Sequence, residues 1–298
     1  MSKFLRKCGF FMVLLIVLNL IYLFFLLLFS PGFKKVYEIS EFKNQNFEVL
    51  VLGNSMALDG IDASYLSENG ISAYNLSVAG DHSSTSLMIL EEYLKNNQKP
   101  KMVLIGLSSS IGNSYLNKMP FKNPEVEFFY NPNLLANITN PPLLNFQWLV
   151  VDFMKILFSK DHRNAKMVFG QWQTKKAIAD NSVYKEKGVP VLNYKDPYLY
   201  KMVYLCKRKG IQVLLMELPG SNDKRNSLPL VYNATLLDGK KVPIYNLNNY
   251  EVSSKILDSS KDWLASDHLN QYGARKITDY MLRNTIKKDI RFKTAVTE

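Results

Sequence analysis

Val51-Leu52-Gly53-Asn54-Ser55-Met56-Ala57-Leu58-Asp59-Gly60-Ile61-Asp62 opens as the end of an apolar strand, stops at a glycine and delivers a serine. Near the other end, Ser266-Asp267-His268-Leu269-Asn270-Gln271-Tyr272-Gly273-Ala274 is a short polar turn that delivers a histidine and then starts a helix. A serine hydroxyl is a weak nucleophile until a neighbouring base takes its proton. In open parallel sheets, functional groups gather beyond the carboxyl ends of the strands. A serine on one such end and a histidine on a second turn at the same edge suit nucleophilic acyl chemistry, so the pair makes the chain a candidate enzyme.

Outward from Ser55 the chain keeps a βα rhythm. Phe47–Leu52 reads as a short strand buried on both faces, Ala73–Val78 as a second and Met102–Leu107 as a third. Ser83–Asn97 reads as a helix, with Ser83 or Ser84 to cap it, Leu87, Leu90 and Leu94 in one apolar stripe, and Pro100 to stop it. The rhythm resumes late. Asp196–Lys209 reads as a helix ending before Gly210, Ile211–Glu217 as a strand, Pro243–Leu247 as a short strand, and Asn270–Lys288 as a final helix. This alternation predicts an α/β domain over residues 47–290, three-layered, with a mostly parallel central sheet covered on both faces, and a solvated tail at 291–298.

Residues of about 111–190 interrupt the rhythm with Asn-Pro and Pro-Pro turns and many aromatics. They read as a partly helical insertion over the sheet edge, of the kind that shapes a substrate site. Within it, Phe146–Phe158 contains Asp152 and Lys155 and is short for a second membrane span. It reads as a helix packed on the core or on the membrane surface. Trp148, Trp172 and the many tyrosines suit either sugar stacking or core packing.

At the amino end, Lys3, Arg6 and Lys7 precede an uncharged run from Cys8 to Phe29. As a helix the run is roughly 33 Å long at about 1.5 Å per residue, enough for one bilayer crossing. A cleaved signal peptide has a shorter apolar core of about 7–15 residues and a small-residue cleavage site. The sequence Leu27-Leu28-Phe29-Ser30-Pro31 offers no such site. The expected organisation is a cytoplasmic segment at 1–8, a transmembrane anchor at 9–29 and a stalk at 30–46. The basic start places the remainder outside, as a single-pass cell-membrane protein with an extracytoplasmic domain.

Of the 298 residues, 37 are Lys or Arg and 26 Asp or Glu, for a formal net charge of +11. Three of those charges lie in the first thirty residues, which hold no acid, so the exported part carries +8. That balance suits an anionic partner, lipid headgroups or an anionic cell-wall polymer, and equally suits plain solubilising charge. An exported chain is not expected to meet nucleic acid. Cys206 is the one cysteine of that part, so no internal disulfide is possible, and it reads as a small core residue of its helix. No phosphate loop and no Cys or His cluster of zinc spacing occurs, and neither a cofactor nor a metal is expected. Asp59 and Asp62 suit a cation or the cap of a helix after Gly60, and the cap is the simpler reading.

The nucleophile has three histidines to choose from, His82, His162 and His268. His268 is the preferred base because its turn reaches the sheet edge directly before a helix. His82, after the second strand, is the alternative, and His162 reads as a surface residue of the insertion.

Three blocks together resemble the SGNH (GDSL-like) hydrolase superfamily, and most closely its membrane-anchored members that modify cell-surface glycans and teichoic acids. They are Gly53-Asn54-Ser55, Tyr74-Asn75-Leu76-Ser77-Val78-Ala79-Gly80, and Asp267-His268-Leu269-Asn270 followed by Gly273-Ala274, in the family's order and spacing over about half the exported domain. The resemblance implies an SGNH/flavodoxin-like fold. It implies that Ser55 attacks an acyl carbon, that His268 takes its proton, and that the backbone N–H groups of Ser55 and Gly80 hold the oxyanion. It further implies an O-acyltransferase or esterase acting on a polysaccharide, glycolipid or teichoic-acid-like polymer, with a polytopic acyltransferase as partner. Two positions depart from the family. Ala265 stands where an Asp usually lies three residues before the histidine, and Leu107-Ser108-Ser109 replaces the usual oxyanion Asn. Asp267 or Asp262 then orients the imidazole, or a backbone carbonyl does so in a Ser–His dyad, or the site is degenerate and the chain is a non-catalytic assembly or glycan-binding factor. Ser108 or Asn113 is the substitute oxyanion donor.

Overall fold

The computed structural model of the chain describes residues 2–108, 123–130, 141–158, 166–175, 177, 193–220, 228–265 and 267–286. The chain divides into two compact units, one of residues 1–41 and 124–163, the other of residues 42–123 and 164–298.

The first unit is helical. Helix α1 (Ser2–Phe29) is, among the described residues, the one helix long and apolar enough to cross a membrane. It ends because Pro31 biases Ser30 away from the helical region, and Ser30 is extended at φ −105° and ψ 100°. Ser30 then caps helix α2 (Pro31–Ser40), with its hydroxyl accepting from Phe33 N and proline at the first helical position. Residues 31–40 of the expected stalk are helical. They form an amphipathic helix that buries Phe33, Val36 and Ile39. Helix α6 (Pro124–Tyr130) packs on α2, and the four-residue α7 (Pro142–Asn145) and α8 (Leu149–Phe158) pack on α1. Tyr22, Leu26, Phe33, Phe146 and Leu149 make the core of this unit, with Phe33 edge-on to Phe129 and Phe146 at 5.0 Å. The insertion expected at 111–190 is thus divided: its described helices at 124–158 belong with the N-terminal helices.

The second unit is built on a sheet. Strand β1 (Val49–Leu52) leads through helices α3 (Ser55–Gly60) and α4 (Ala63–Glu68) to β2 (Ala73–Asn75), then through α5 (Ser83–Asn96) to β3 (Met102–Leu107). A hairpin, β4 (Lys166–Val168) and β5 (Gln171–Gln173), follows. Next come β6 (Asn193–Tyr194), α9 (Pro197–Arg208), β7 (Gln212–Glu217), β8 (Val231–Leu236) and β9 (Lys241–Asn246). Helix α10 (Tyr250–Ile256), a small antiparallel pair β10 (Trp263–Ala265) and β11 (His268–Leu269), and α11 (Gln271–Met281) complete the unit, with a π-helical turn at Leu282–Ile286. Among the described residues the main sheet has seven strands in the order β2-β1-β3-β7-β9-β8-β6, parallel except between β8 and β9.

Both faces of the sheet are covered, as the unbroken apolar runs of β1 and β3 require; every residue of those two strands is buried. Val49, Val51, Met102, Leu104 and Met216 join Ala57, Leu66, Trp263, Ile277 and Met281 in one core, facing α3, α4 and α11. The alternate residues Leu50, Leu52, Val103 and Ile105 are equally buried and point to the opposite face. Helices α5 and α9 pack together, with α9 against β7. Cys206 of α9 is fully buried as a core residue, and burial pushes its thiol up to about 12.

Strand β8 and the β4–β5 hairpin are among the elements that were not legible in the rhythm. Strand β8 pairs with β9 across a turn containing Asp238-Gly239 and buries only Tyr232, Ala234 and Leu236. The two-residue turn of the β4–β5 hairpin, Phe169-Gly170, has φ of 46° and 76°, the doubly positive geometry of a type I′ turn. The tip is tied to β2 by Asn75 N donating to Phe169 O at 2.9 Å. A Cβ at Gly170 would lie 2.1 Å from Asn75 O. Gly170→Ala is therefore expected to destabilise the protein by about 2–4 kcal/mol, from left-handed strain plus a clash with backbone. Gly239→Ala is the control, with φ 80° but nothing within 4 Å, and should cost about 1–2 kcal/mol. Urea denaturation of the full chain in detergent measures both, and equal effects would show that the hairpin tip is not packed on β2.

Candidate active site

Ser55 is the first residue of α3, directly beyond the carboxyl end of β1. Between them Gly53 turns the chain at φ 148°, where a Cβ would lie 2.7 Å from Ala57 Cβ and 3.1 Å from Gly106 O. A side chain at Gly106 would meet the same Ala57 methyl at 2.8 Å. Two glycines on adjacent strands thus let α3 settle against the backbone of β1 and β3. Asn54 caps the helix, its Oδ1 accepting from Met56 N at 3.1 Å, and its Nδ2 donates to Ser108 Oγ at 2.9 Å. The far end of α3 is held by the fully buried Asn75, whose amide donates to Ala57 O at 2.8 Å and Ile61 O at 3.1 Å. Gln171, from the β4–β5 hairpin, donates to Asp59 O at 3.0 Å.

His268 opens β11, opposite Ala265 of β10. Its Nε2 lies 2.8 Å from Ser55 Oγ and its Nδ1 2.6 Å from Asp267 Oδ1. An ionised carboxylate only accepts, so Nδ1 carries the proton and Nε2 is left to accept from the serine hydroxyl. Ser55, His268 and Asp267 form one hydrogen-bonded line. The helix that follows is capped by Asn270, which accepts from Tyr272 N and Gly273 N, and Asp267 takes no part in that cap. Asp262 is not on the imidazole. It is buried and bonds Lys276 Nζ at 2.6 Å and Asp258 N at 2.7 Å.

Gly80, Ser108 and His82 are the other expected residues that the structure describes. Gly80 lies in an exposed turn with φ 69°, closed by Asp81 N donating to Val78 O, and Val78 N donates to Gly53 O at 3.2 Å. The turn after β2 is thereby fastened to the nucleophile loop. Ser108, at the end of β3, is buried and reaches the site through Asn54. His82 stands at the N-cap of α5, whose hydroxyl caps were misassigned. Ser83 instead donates to Asp196, and Asp81 accepts from His82 N and Ser86 Oγ at 2.7 Å each. His162, Ser109 and Asn113 lie outside the described residues.

Of the two residues expected to cap the helix after Gly60, one does so. Asp59 does not cap a helix; Asp62 does, accepting from Tyr65 N. Asp59 lies one turn after Ser55 on α3, and its Oδ2 is 4.0 Å from His268 Nε2. The four-residue spacing from the serine was the available signal, since such residues share a helix face. The Asp59 side chain is 10% exposed and that of Asp267 56%. The imidazole therefore sits between a shielded carboxylate and an open one.

No protein-family model, curated protein or solved structure matches the chain.

Different duties for Asp262 and Asp267 give a direct expectation. Asp262→Asn removes the partner of Lys276 from a buried position and should cost about 1–3 kcal/mol. Asp267→Asn, at an exposed position, should stay within about 0.5 kcal/mol of the parent. It should nevertheless change the nitrogen-15 shifts of His268, because the amide no longer favours the Nδ1–H tautomer. Thermal unfolding and histidine NMR on the same two variants test the assignment.

Proposed function

We propose that the chain is a membrane-anchored, extracytoplasmic serine acyltransferase or esterase of the SGNH (GDSL-like) type. Its substrates would be O-acyl groups of a cell-surface polysaccharide, glycolipid or teichoic-acid-like polymer. The observation that carries the reading is the line from Ser55 Oγ through both ring nitrogens of His268 to Asp267, with bonds of 2.8 and 2.6 Å. A nucleophile, a base and a group orienting the base, all within hydrogen-bond reach, define the activated serine of acyl chemistry.

In this reading Ser55 Oγ attacks the acyl carbon while His268 Nε2 takes the hydroxyl proton. Asp267 holds the Nδ1–H tautomer and balances the imidazolium. The oxyanion is held by the N–H of Ser55, which has no intrahelical acceptor at a helix start, and by that of Gly80, with Ser108 behind Asn54. The imidazolium returns its proton to the departing alkoxide and leaves an acyl-serine. Water then completes hydrolysis, or a sugar hydroxyl completes transfer, each losing its proton to His268. The chain's α/β architecture and the apolar α1 support the reading, as does the +8 charge beyond residue 30, which suits an anionic polymer. A polytopic acyltransferase that passes acyl groups across the bilayer is the fitting partner.

A second reading, a non-catalytic assembly or glycan-binding factor, draws on the 56% exposure of Asp267 and on Ala265 at the usual acid position. A fluorophosphonate probe separates the two. Labelling of wild type but not of Ser55→Ala is expected, at a stability cost of about 1 kcal/mol. Absence of labelling in folded wild type overturns the enzyme. His268→Gln should lower turnover of a small acetyl ester by orders of magnitude and His82→Gln should not, while Asp267→Asn can cost up to about 10⁴-fold.

Ala265→Asp tests whether the family's carboxylate is redundant. Residue 265 pairs with His268 across the β10–β11 ladder. With Asp267 already on Nδ1, an added carboxylate is expected to leave turnover unchanged or lower it. A gain in Asp267→Asn but not in wild type would show that the two positions are interchangeable. A gain in wild type would show that Asp267 does not fill the role.

A further inference from the structure

Helix α1 departs from a plain anchor at two side chains. In the run from Cys8 to Phe29, Asn19 and Tyr22 are the residues with strong hydrogen-bonding groups. Asn19 stands near the middle of the run, about 15 Å from either end at about 1.5 Å per residue, which is the midplane of a hydrocarbon core about 30 Å thick. Asn19 Oδ1 accepts from Leu143 N at 2.9 Å, and Tyr22 Oη donates to Phe146 O at 2.7 Å. Leu143 N lies in the first turn of α7, where a helix N–H has no intrahelical acceptor, while Phe146 O also accepts from Leu149 N at 3.0 Å and takes a second bond from Tyr22. In hydrocarbon such groups must be satisfied from within the protein.

Several of the described apolar side chains of this segment, which also carries Asp152 and Lys155 in its sequence, are bare. Leu144, Val151 and Phe158 are 57, 56 and 76% exposed, and Val150 and Met154 are 44 and 46% exposed. On α1, against which both helices of the segment pack, Phe10 to Leu18 are exposed as well. Helix α8, of 10 residues, is about 15 Å long and reaches across half of the core.

We propose that residues 141–158 enter the bilayer beside α1 as a re-entrant half-span, with lipid acyl chains covering their outer face. The proposal rests on α1 being a membrane span. A second copy of the chain is the other available cover, but lipid already surrounds α1 in that reading, and the segment packs on α1. Asn19 and Tyr22 are then the polar fixings that let an interrupted helix sit at membrane depth.

The test uses the full chain in phosphatidylcholine–phosphatidylglycerol nanodiscs, in a Cys8→Ser background. Buried Cys206 stays in place. Single nitroxides are attached at Val151→Cys, Met154→Cys, Leu20→Cys on α1, and Lys255→Cys as an exposed control on the sheet-bearing unit. Accessibility to oxygen, which concentrates in lipid, is compared with accessibility to a water-soluble nickel chelate. The ratio at 151 and 154 is expected to match that at 20 and to exceed that at 255 several-fold. If 20 is lipid-facing while 151 and 154 resemble 255, the half-span is overturned and the anchor stands. If 20 also resembles 255, the anchor reading itself fails. Labels at 151 and 154 reached by neither reagent would show a protein cover, which also overturns lipid as the occupant.

Discussion

The site depends on how closely a six-residue helix can sit against bare backbone. Helix α3 is far too short to hold itself, since isolated helices below about 12–15 residues are marginal in water. It is held by Ala57 resting on Gly53 and Gly106, where a methyl on either glycine would come within 2.8 Å of Ala57 Cβ. Asn54 closes one end, Asn75 closes the other, and Gln171 ties the Asp59 carbonyl to the β4–β5 hairpin. These contacts leave Ser55 little freedom, and an activated nucleophile works only when held near its base. The hairpin, remote in sequence, is part of that support, because its tip bonds to Asn75.

The charges around His268 explain how a line can form without the expected acid at position 265. Charges 4 Å apart interact by about 1 kcal/mol in water and by about 4 kcal/mol at an effective dielectric of 20. Asp267, being open to solvent, acts chiefly through the geometry of its bond to Nδ1. Asp59, at 10% exposure and 4.0 Å from Nε2, is better shielded and acts through its field. In the proposed reaction the imidazolium would lie between them, so orientation comes from one residue and electrostatic stabilisation largely from another.

The parallel core was legible because β1 and β3 are continuous apolar runs bounded by glycines and turns, and their burial on both faces leaves no other arrangement. Strand β8 was not, because it alternates buried and exposed residues and pairs antiparallel; Asp238-Gly239 between two runs was the hairpin signal to weigh. Ser55 and His268 were legible from position alone. The choice of Asp267 over Asp262 was not, because it turns on which residue caps α11. Asn270 and Asp267 are both competent caps in sequence, and only folding assigns the cap to Asn270 and leaves Asp267 to the imidazole. The helical part of the insertion was misplaced for a similar reason. Its aromatics match any apolar surface, and the partners they find are Phe33 and Tyr22.

The same device recurs at two short helices of the chain with different weight. Helix α3 has its end groups met by Asn54 and Asn75, and helix α7 has its own met by Asn19 and Tyr22. Around α3, water can replace a lost side-chain bond at the rim, and a missing cap costs about 1 kcal/mol. At membrane depth no water stands in, and an unmet backbone group costs several kcal/mol. Two polar residues in an otherwise apolar helix are therefore poorly explained by the needs of that helix, whose own backbone is already satisfied. They meet another segment brought beside it, where Leu143 N has Asn19 as its acceptor and Phe146 O takes from Tyr22 a bond beyond that from Leu149 N.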